Sequence, residues 1–248
     1  MLHAIDACAH TNRWRTQGGP MALFCAGLMG CALLAPPLAA APFVAAAASA
    51  AAVLGARVPA ALFFRTLLVP AGFLATGALA LCVTLDLEHA RLGFSGAGAA
   101  TALATTLRAA AGVTVTLCFA CIVPTAQWIA LLRRARVPAV VLDLLLLVYR
   151  TLFVLDAEFL AIRRAQDNRL GFRTARVAGR NAARAVAVLF LRSLQRAARL
   201  ERGLAARGYV DRLPVLTPPS TATRHTYAVA ALVPALVAVA AVVLGAGQ

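Results

Sequence analysis

Residues 190–208 read FLRSLQRAARLERGLAARG, and their spacing decides how the rest of the chain is read. Arg192, Arg196, Arg199 and Arg202 follow at intervals of 4, 3 and 3, which puts four guanidiniums on one side of a helix. Phe190, Leu194, Ala197 and Leu204 recur at 4, 3 and 7 on the other side. The pattern is an amphipathic helix with a basic face. Gly208 is a natural C-cap, and Pro214 lies beyond it. From Arg163 to Arg212 thirteen arginines stand against three acids, Asp167, Glu201 and Asp211. Thr217-Pro-Pro-Ser220 then forms a stiff linker into an apolar C-terminal run.

The remainder of the chain is apolar. Hydrophobic residues make up 62% of the 248 and charged ones only 13%, about half the charged share of a soluble domain. Five runs are long enough to act as membrane helices: 21–35, 38–56, 59–85 and 109–132 in an N-terminal region 1–132, and a last one within 224–248. Pro36-Pro37 ends the first run, the second is Ala-rich and calls for helix neighbours, and Pro124 is expected to kink the fourth. The first run also resembles a signal peptide, with Arg13 and Arg15 before it and Ala39–Ala41 after it; the spans that follow favour a start-transfer helix. Residues 86–108 read as a mixed loop. The expected fold is an all-α membrane protein with about five transmembrane helices plus amphipathic cytoplasmic helices in region 133–223.

Charge placement then orients the chain. With the N-terminus in the cytoplasm and the C-terminus outside, Arg57, Arg133, Arg134, Arg136, Arg224 and the whole 163–212 cluster face inward. Only Arg91 and Arg108 lie outside, beside Asp86 and Glu88. The opposite orientation would translocate the cluster. Residues 137–166, VPAVVLDLLLLVYRTLFVLDAEFLAIRRAQ, are apolar enough to span, but Asp143 and Arg150 share a face, and Asp156 and Glu158 follow. Ionisable groups at mid-bilayer are costly, so this stretch is read as a helix lying on the inner membrane surface.

Several chemistries are excluded or unsupported. All 24 basic residues are Arg, so there is no lysine nucleophile. No P-loop is present, so the chain does not hydrolyse ATP itself. Cys118-Phe-Ala-Cys121 has ligand spacing but no second pair, and thiols packed in helices are the reading taken, with no metal and no disulfide. His3, His10, His89 and His225 are scattered, and no Ser–His–Asp set is visible. The basic stretch could meet anionic lipid, nucleic acid or an acidic groove on a protein. Nucleic acid is disfavoured, since the basic helix has no interleaved aromatics and no known motif. An Arg-Gly helix end suits a protein groove: the guanidinium can hold a carboxylate bidentately and the glycine lets a backbone approach.

Ala165-Gln166-Asp167-Asn168-Arg169, followed 38 residues later by Arg207 within Ala206-Arg207-Gly208-Tyr209, resembles the paired arginine motifs of energy-coupling factor (ECF) transporter T components. Tyr149-Arg150 to Glu158, Leu191-Arg192-Ser193, Ile5-Asp6, Val123-Pro-Thr-Ala and Arg136-Val-Pro138 are similar to the cobalt-type subgroup, CbiQ. The resemblance implies a bacterial inner-membrane, multi-pass, non-catalytic scaffold that couples ATP hydrolysis by partners to uptake of cobalt, or nickel. It implies two ABC-type ATPase subunits (CbiO-like) and a substrate-binding S component (CbiM-like) as partners, with lipids around it and no cofactor of its own. Asn168, Arg169 and Leu170 would enter one ATPase groove and Ala206, Arg207 and Gly208 the other. Gln166, Arg192, Arg196, Arg199 and Tyr209 would support the coupling helices. The first motif departs from the family pattern in having Leu170 where a small residue, usually Gly, is expected. Gly19-Pro20-Met21-Ala22 likewise lacks the family's Lys. The competing classes are a permease or structural subunit without an ATPase, and a membrane enzyme using the outer Asp86–Arg91 loop.

Overall fold

The computed structural model describes residues 2–86, 91–94, 96–208 and 222–245. In chain order the elements are α1 (Leu2–Thr11), α2 (Gly18–Leu34), α3 (Pro37–Ala50) running into a π-helical turn (Ala51–Gly55), α4 (Ala60–Cys82), strands β1 (Val83–Asp86) and β2 (Arg91–Phe94), α5 (Gly96–Ile122), α6 (Thr125–Arg134), α7 (Ala139–Asp167), α8 (Ala175–Ala206) and α9 (Arg224–Gly245). They group into two compact units, one of Met1–Leu131 with Thr217–Gln248, the other Leu132–Leu216.

The first unit is a helical membrane body. Pro37–Gly55, Ala60–Cys82, Gly98–Ile122 and Arg224–Val243 are each long and apolar enough to cross a bilayer. The shorter apolar α2 joins them, with 17 residues and a length of about 26 Å. Its core gathers Leu28, Val44, Phe63, Val115, Cys118 and Ile122, all fully buried. The outward faces are equally apolar: Leu68, Val69 and Phe73 on α4 are largely exposed. Water would penalise such a surface, whereas lipid matches it.

Small residues set how closely these helices approach. A Cβ at Gly27 of α2 would lie 2.7 Å from Pro234 Cβ of α9, and one at Gly18 would lie 2.5 Å from Gln127 Cβ. Lipid supplies no hydrophobic drive for helices to pair, so this close packing is the main attraction between them. Asn12, buried in the turn after α1, donates from Nδ2 to the Cys121 and Ile122 carbonyls at 3.3 and 2.8 Å. It thereby caps the end of α5, where Pro124 offers no N–H to continue the helix.

Two expectations from hydropathy change here. The fourth apolar helix occupies 98–122 rather than 109–132; it begins within the stretch read as a loop and stops before Pro124, after which α6 starts afresh. Residues 96–107 are rich in Gly, Ala and Thr, and Ala102 is buried among them. Arg108 consequently lies inside α5, not in an outer loop, and Nη2 donates to the Ala35 carbonyl at 3.3 Å. The Pro36-Pro37 break frees carbonyls at the end of α2 for such a donor. The chain also leaves α4 at Cys82 for an antiparallel β-hairpin, with Val83 opposite Phe94 and Asp86 opposite Arg91.

The close approach of α2 and α9 yields a paired test. Gly27→Ala should destabilise the purified protein by about 1–3 kcal/mol through overpacking. Gly30→Ala, where an added Cβ meets nothing within 4 Å, should leave stability unchanged or raise it. Thermal unfolding in detergent distinguishes the two.

Candidate functional site: a helical hairpin tipped with arginine

The second unit consists mainly of α7 and α8, of 29 and 32 residues. Asp143, Arg150, Asp156 and Glu158 all fall within α7, which is one unbroken helix. Helix α8 begins at Thr174, whose side chain accepts from the Val177 N–H at 3.3 Å as an N-cap.

The turn between the helices is closed by backbone and side chain together. Gly171 N–H bonds to the Gln166 carbonyl at 2.8 Å and Leu170 N–H to the Asp167 carbonyl at 2.9 Å. These 6→1 and 5→2 bonds form a Schellman cap, with Leu170 at the left-handed position, φ +56°. Gln166 Nε2 donates to the Asn181 carbonyl at 3.0 Å, and Asn181 Nδ2 donates to the Gly171 carbonyl at 2.8 Å. A Cβ on Gly171 would sit 2.7 Å from both Asn181 Nδ2 and the Gln166 carbonyl oxygen, so glycine is required there. Arg163 lies over the Phe172 ring at 5.9 Å.

The far end of α8 shares the left-handed exit and the 5→2 bond. Arg207 is its C-cap, Gly208 N–H bonds to the Ala205 carbonyl at 3.1 Å, and Gly208 has φ +67°. Each motif arginine is therefore exposed, stands at the carbonyl end of a long helix, and is followed at once by a left-handed residue. The departure at Leu170 is thus one of residue type and not of backbone: leucine takes the conformation glycine takes in the second motif. Its side chain is 70% exposed, so that shape costs no core packing. Both guanidiniums also sit at the negative ends of helix dipoles, which favours a cation there. The two tips bracket α8, whose 32 residues measure about 48 Å.

The other sequence-selected residues divide. Asn168 caps α7 and Ala206 closes α8, both exposed. Gln166 belongs to the turn clamp. Arg192 and Arg196 approach Glu158 of α7 at 4.0 and 3.6 Å, so they tie the hairpin together. These distances are those of ion pairs, not hydrogen bonds, and the pairs are partly solvated, each contributing about 0–1 kcal/mol. Arg199 is exposed, and Arg202 Nε donates to the Ala198 carbonyl at 3.1 Å. Phe190 and Leu194 remain 61% and 51% exposed, leaving the apolar stripe of α8 uncovered. Tyr209 lies outside the described residues, as do Glu88 and His89. Sequence reading missed Asn181, Gly171 and Thr174; a lone Asn seven residues beyond a Thr that precedes a long helix was the signal available. Among the described residues no group of three or more His, Cys, Asp or Glu could hold a metal ion.

A multi-helix membrane body carrying an exposed, arginine-tipped helical hairpin is the class that fold and site define. The sequence profile of the cobalt transport protein family, CbiQ, matches residues 13–216, and the chain belongs to that family. It is 36% identical over 219 residues to the cobalt transport protein CbiQ of Rhodobacter capsulatus, covering 87% of this chain and 88% of that protein. It is 28% identical over 208 residues to the CbiQ of Salmonella typhimurium, covering 79% and 92%.

The cap geometry sets the expected response to substitution. Leu170→Gly should leave stability unchanged or raise it by up to about 1 kcal/mol, while Leu170→Val should lower it by about 1–2 kcal/mol. Asn181→Ala, which strands the Gly171 carbonyl, should cost about 1–3 kcal/mol. Limited proteolysis at residues 167–174 reads the loosened turn directly.

Proposed function

We propose that this chain is the T subunit of an ECF-type importer for cobalt, in which Arg169 and Arg207 each dock into one of two ABC-type ATPase subunits. The observation that carries the reading is the repeated helix-end geometry: one exposed arginine, one left-handed residue, at either end of α8. Two tips separated by the length of a helix suit two separate copies of a partner. The family and both relatives are cobalt transport proteins, which supports the substrate class.

In this reading the N-terminus and the hairpin lie in the cytoplasm and the C-terminus lies outside, because the thirteen arginines of 163–212 resist translocation. ATP binding closes the ATPase pair, its two grooves shift, and α7 and α8 follow as rigid bodies held by their caps and by the Glu158 pairs. The membrane body passes the motion to a substrate-binding S component, which releases the ion. ATP hydrolysis belongs to the partners; the chain contributes no catalytic group. Arginine suits the grip because its planar fork holds a carboxylate by two bonds and stays charged when desolvated.

Truncating an arginine buried against a carboxylate at an interface typically costs 2–5 kcal/mol, which is roughly a 30-fold or greater loss of affinity. Arg169→Ala with Arg207→Ala should therefore release the ATPase pair on co-purification and abolish uptake by the reconstituted complex, with insertion unchanged. Uptake that survives the double substitution contradicts the reading. A permease acting alone would transport without the ATPases, and an enzyme would turn over substrate as the isolated chain.

A further inference from the structure

We propose that the first unit holds one anionic phospholipid in a specific site, its acyl chain in the groove between α2, α3 and α9 and its phosphate at the arginines of the adjoining turns. The groove has a volume of about 490 Å³, within the size range of small-molecule sites. Its walls are apolar, with Met21, Phe24, Ala47, Ala51, Val229 and Val233 among the lining residues. Its polar lining, Gln17, His225 and Thr226 together with the indole of Trp14, comes from the turn before α2 and the first turn of α9. Hydrocarbon walls with polar groups gathered at one end match a lipid tail and its glycerol region. A helix with its side chains is about 10–12 Å across, so two turns of one displace more than this volume, whereas a single hydrocarbon chain does not.

Trp14 is held in place by the fold. Its backbone N–H bonds to Asn12 Oδ1 at 2.8 Å, and its ring occupies the space that a Cβ on Gly55 would need. Trp at such a boundary is a common anchor at the bilayer surface. The same turn borders a second cavity of about 250 Å³, whose mixed lining includes Thr11, Asn12, Arg13 and Arg57 beside Val58 and Pro59. Arg57 is carried there on left-handed backbone, φ +58°, a conformation uncommon for a residue other than glycine. Arg15 lies on the Trp14 turn and Arg224 directly precedes His225. These four arginines therefore lie on the segments that bound the two cavities, and among the described residues no acidic one lines either. That charge selects an anionic headgroup over a zwitterionic one, by about fivefold for each arginine near the surface.

Native mass spectrometry of the full chain in detergent, titrated with phosphatidylglycerol or phosphatidylcholine of the same acyl chains, tests the site. The expected result is a one-to-one phosphatidylglycerol adduct preferred by at least about fivefold. The preference should fall to near unity in Arg13→Gln/Arg15→Gln/Arg57→Gln/Arg224→Gln. Val229→Trp, at an exposed groove position, should lose the adduct with all four arginines present. Excess inorganic phosphate should not displace the lipid. Equal retention of both lipids by the wild-type chain, displacement by phosphate, or undiminished phosphatidylglycerol binding by Val229→Trp would each overturn the proposal.

Discussion

The carbonyl end of a helix leaves its last acceptors unsatisfied, and closing them with a left-handed residue turns the chain sharply away from the helix axis. At the ends of α7 and α8 the residue just before that turn is an arginine, whereas at the left-handed Arg57 and Arg136 it is Ala56 and Ala135. The cap therefore does two things at once. It ends the helix, and it presents a guanidinium at the tip, at the negative end of the helix dipole, with the following backbone bent clear of it. The proposed coupling role rests on this constraint, because a tip on a frayed helix end would transmit little motion.

The membrane body obeys a different rule. Its helices are held by small residues and by a few well-placed polar contacts. Gly27 lets α2 meet Pro234 of α9, Asn12 closes the end of α5, and Arg108 serves the Pro-Pro break after α2. Each contact meets a backbone acceptor or fills a close approach that lipid cannot satisfy. Asn12 and Arg108 thus serve backbone acceptors of the fold itself.

Much of this was readable in the sequence. The 3–4 spacing of Arg192 to Arg202 gives α8, and Gly208 gives its end. The five apolar runs appear as the five apolar helices, since hydropathy and length report directly on solvent. The fourth boundary was not readable, because in residues 96–107 Gly and Thr dilute the hydropathy of Ala, Leu103 and Leu107 and so resemble a loop. Leu170 shows the other limit. Residue type marks it as a departure, yet the Gln166–Gly171–Asn181 clamp imposes the backbone that glycine would have chosen. Arg192 and Arg196 likewise read as part of an open basic face until Glu158, 34 and 38 residues earlier, is seen opposite them. Long-range partners of this kind leave no periodic trace.

Site-specific photocrosslinking most directly tests the claim that the two tips are gripped by separate partner subunits. A photoreactive residue would be placed at 169 or at 207 in the assembled complex, with membrane-body position 73 as a control. Each tip should crosslink to an ATPase subunit, the doubly substituted chain should capture two copies, and ATP should change the yield. Crosslinks from both tips to lipid alone, or to one and the same ATPase copy, would contradict the account.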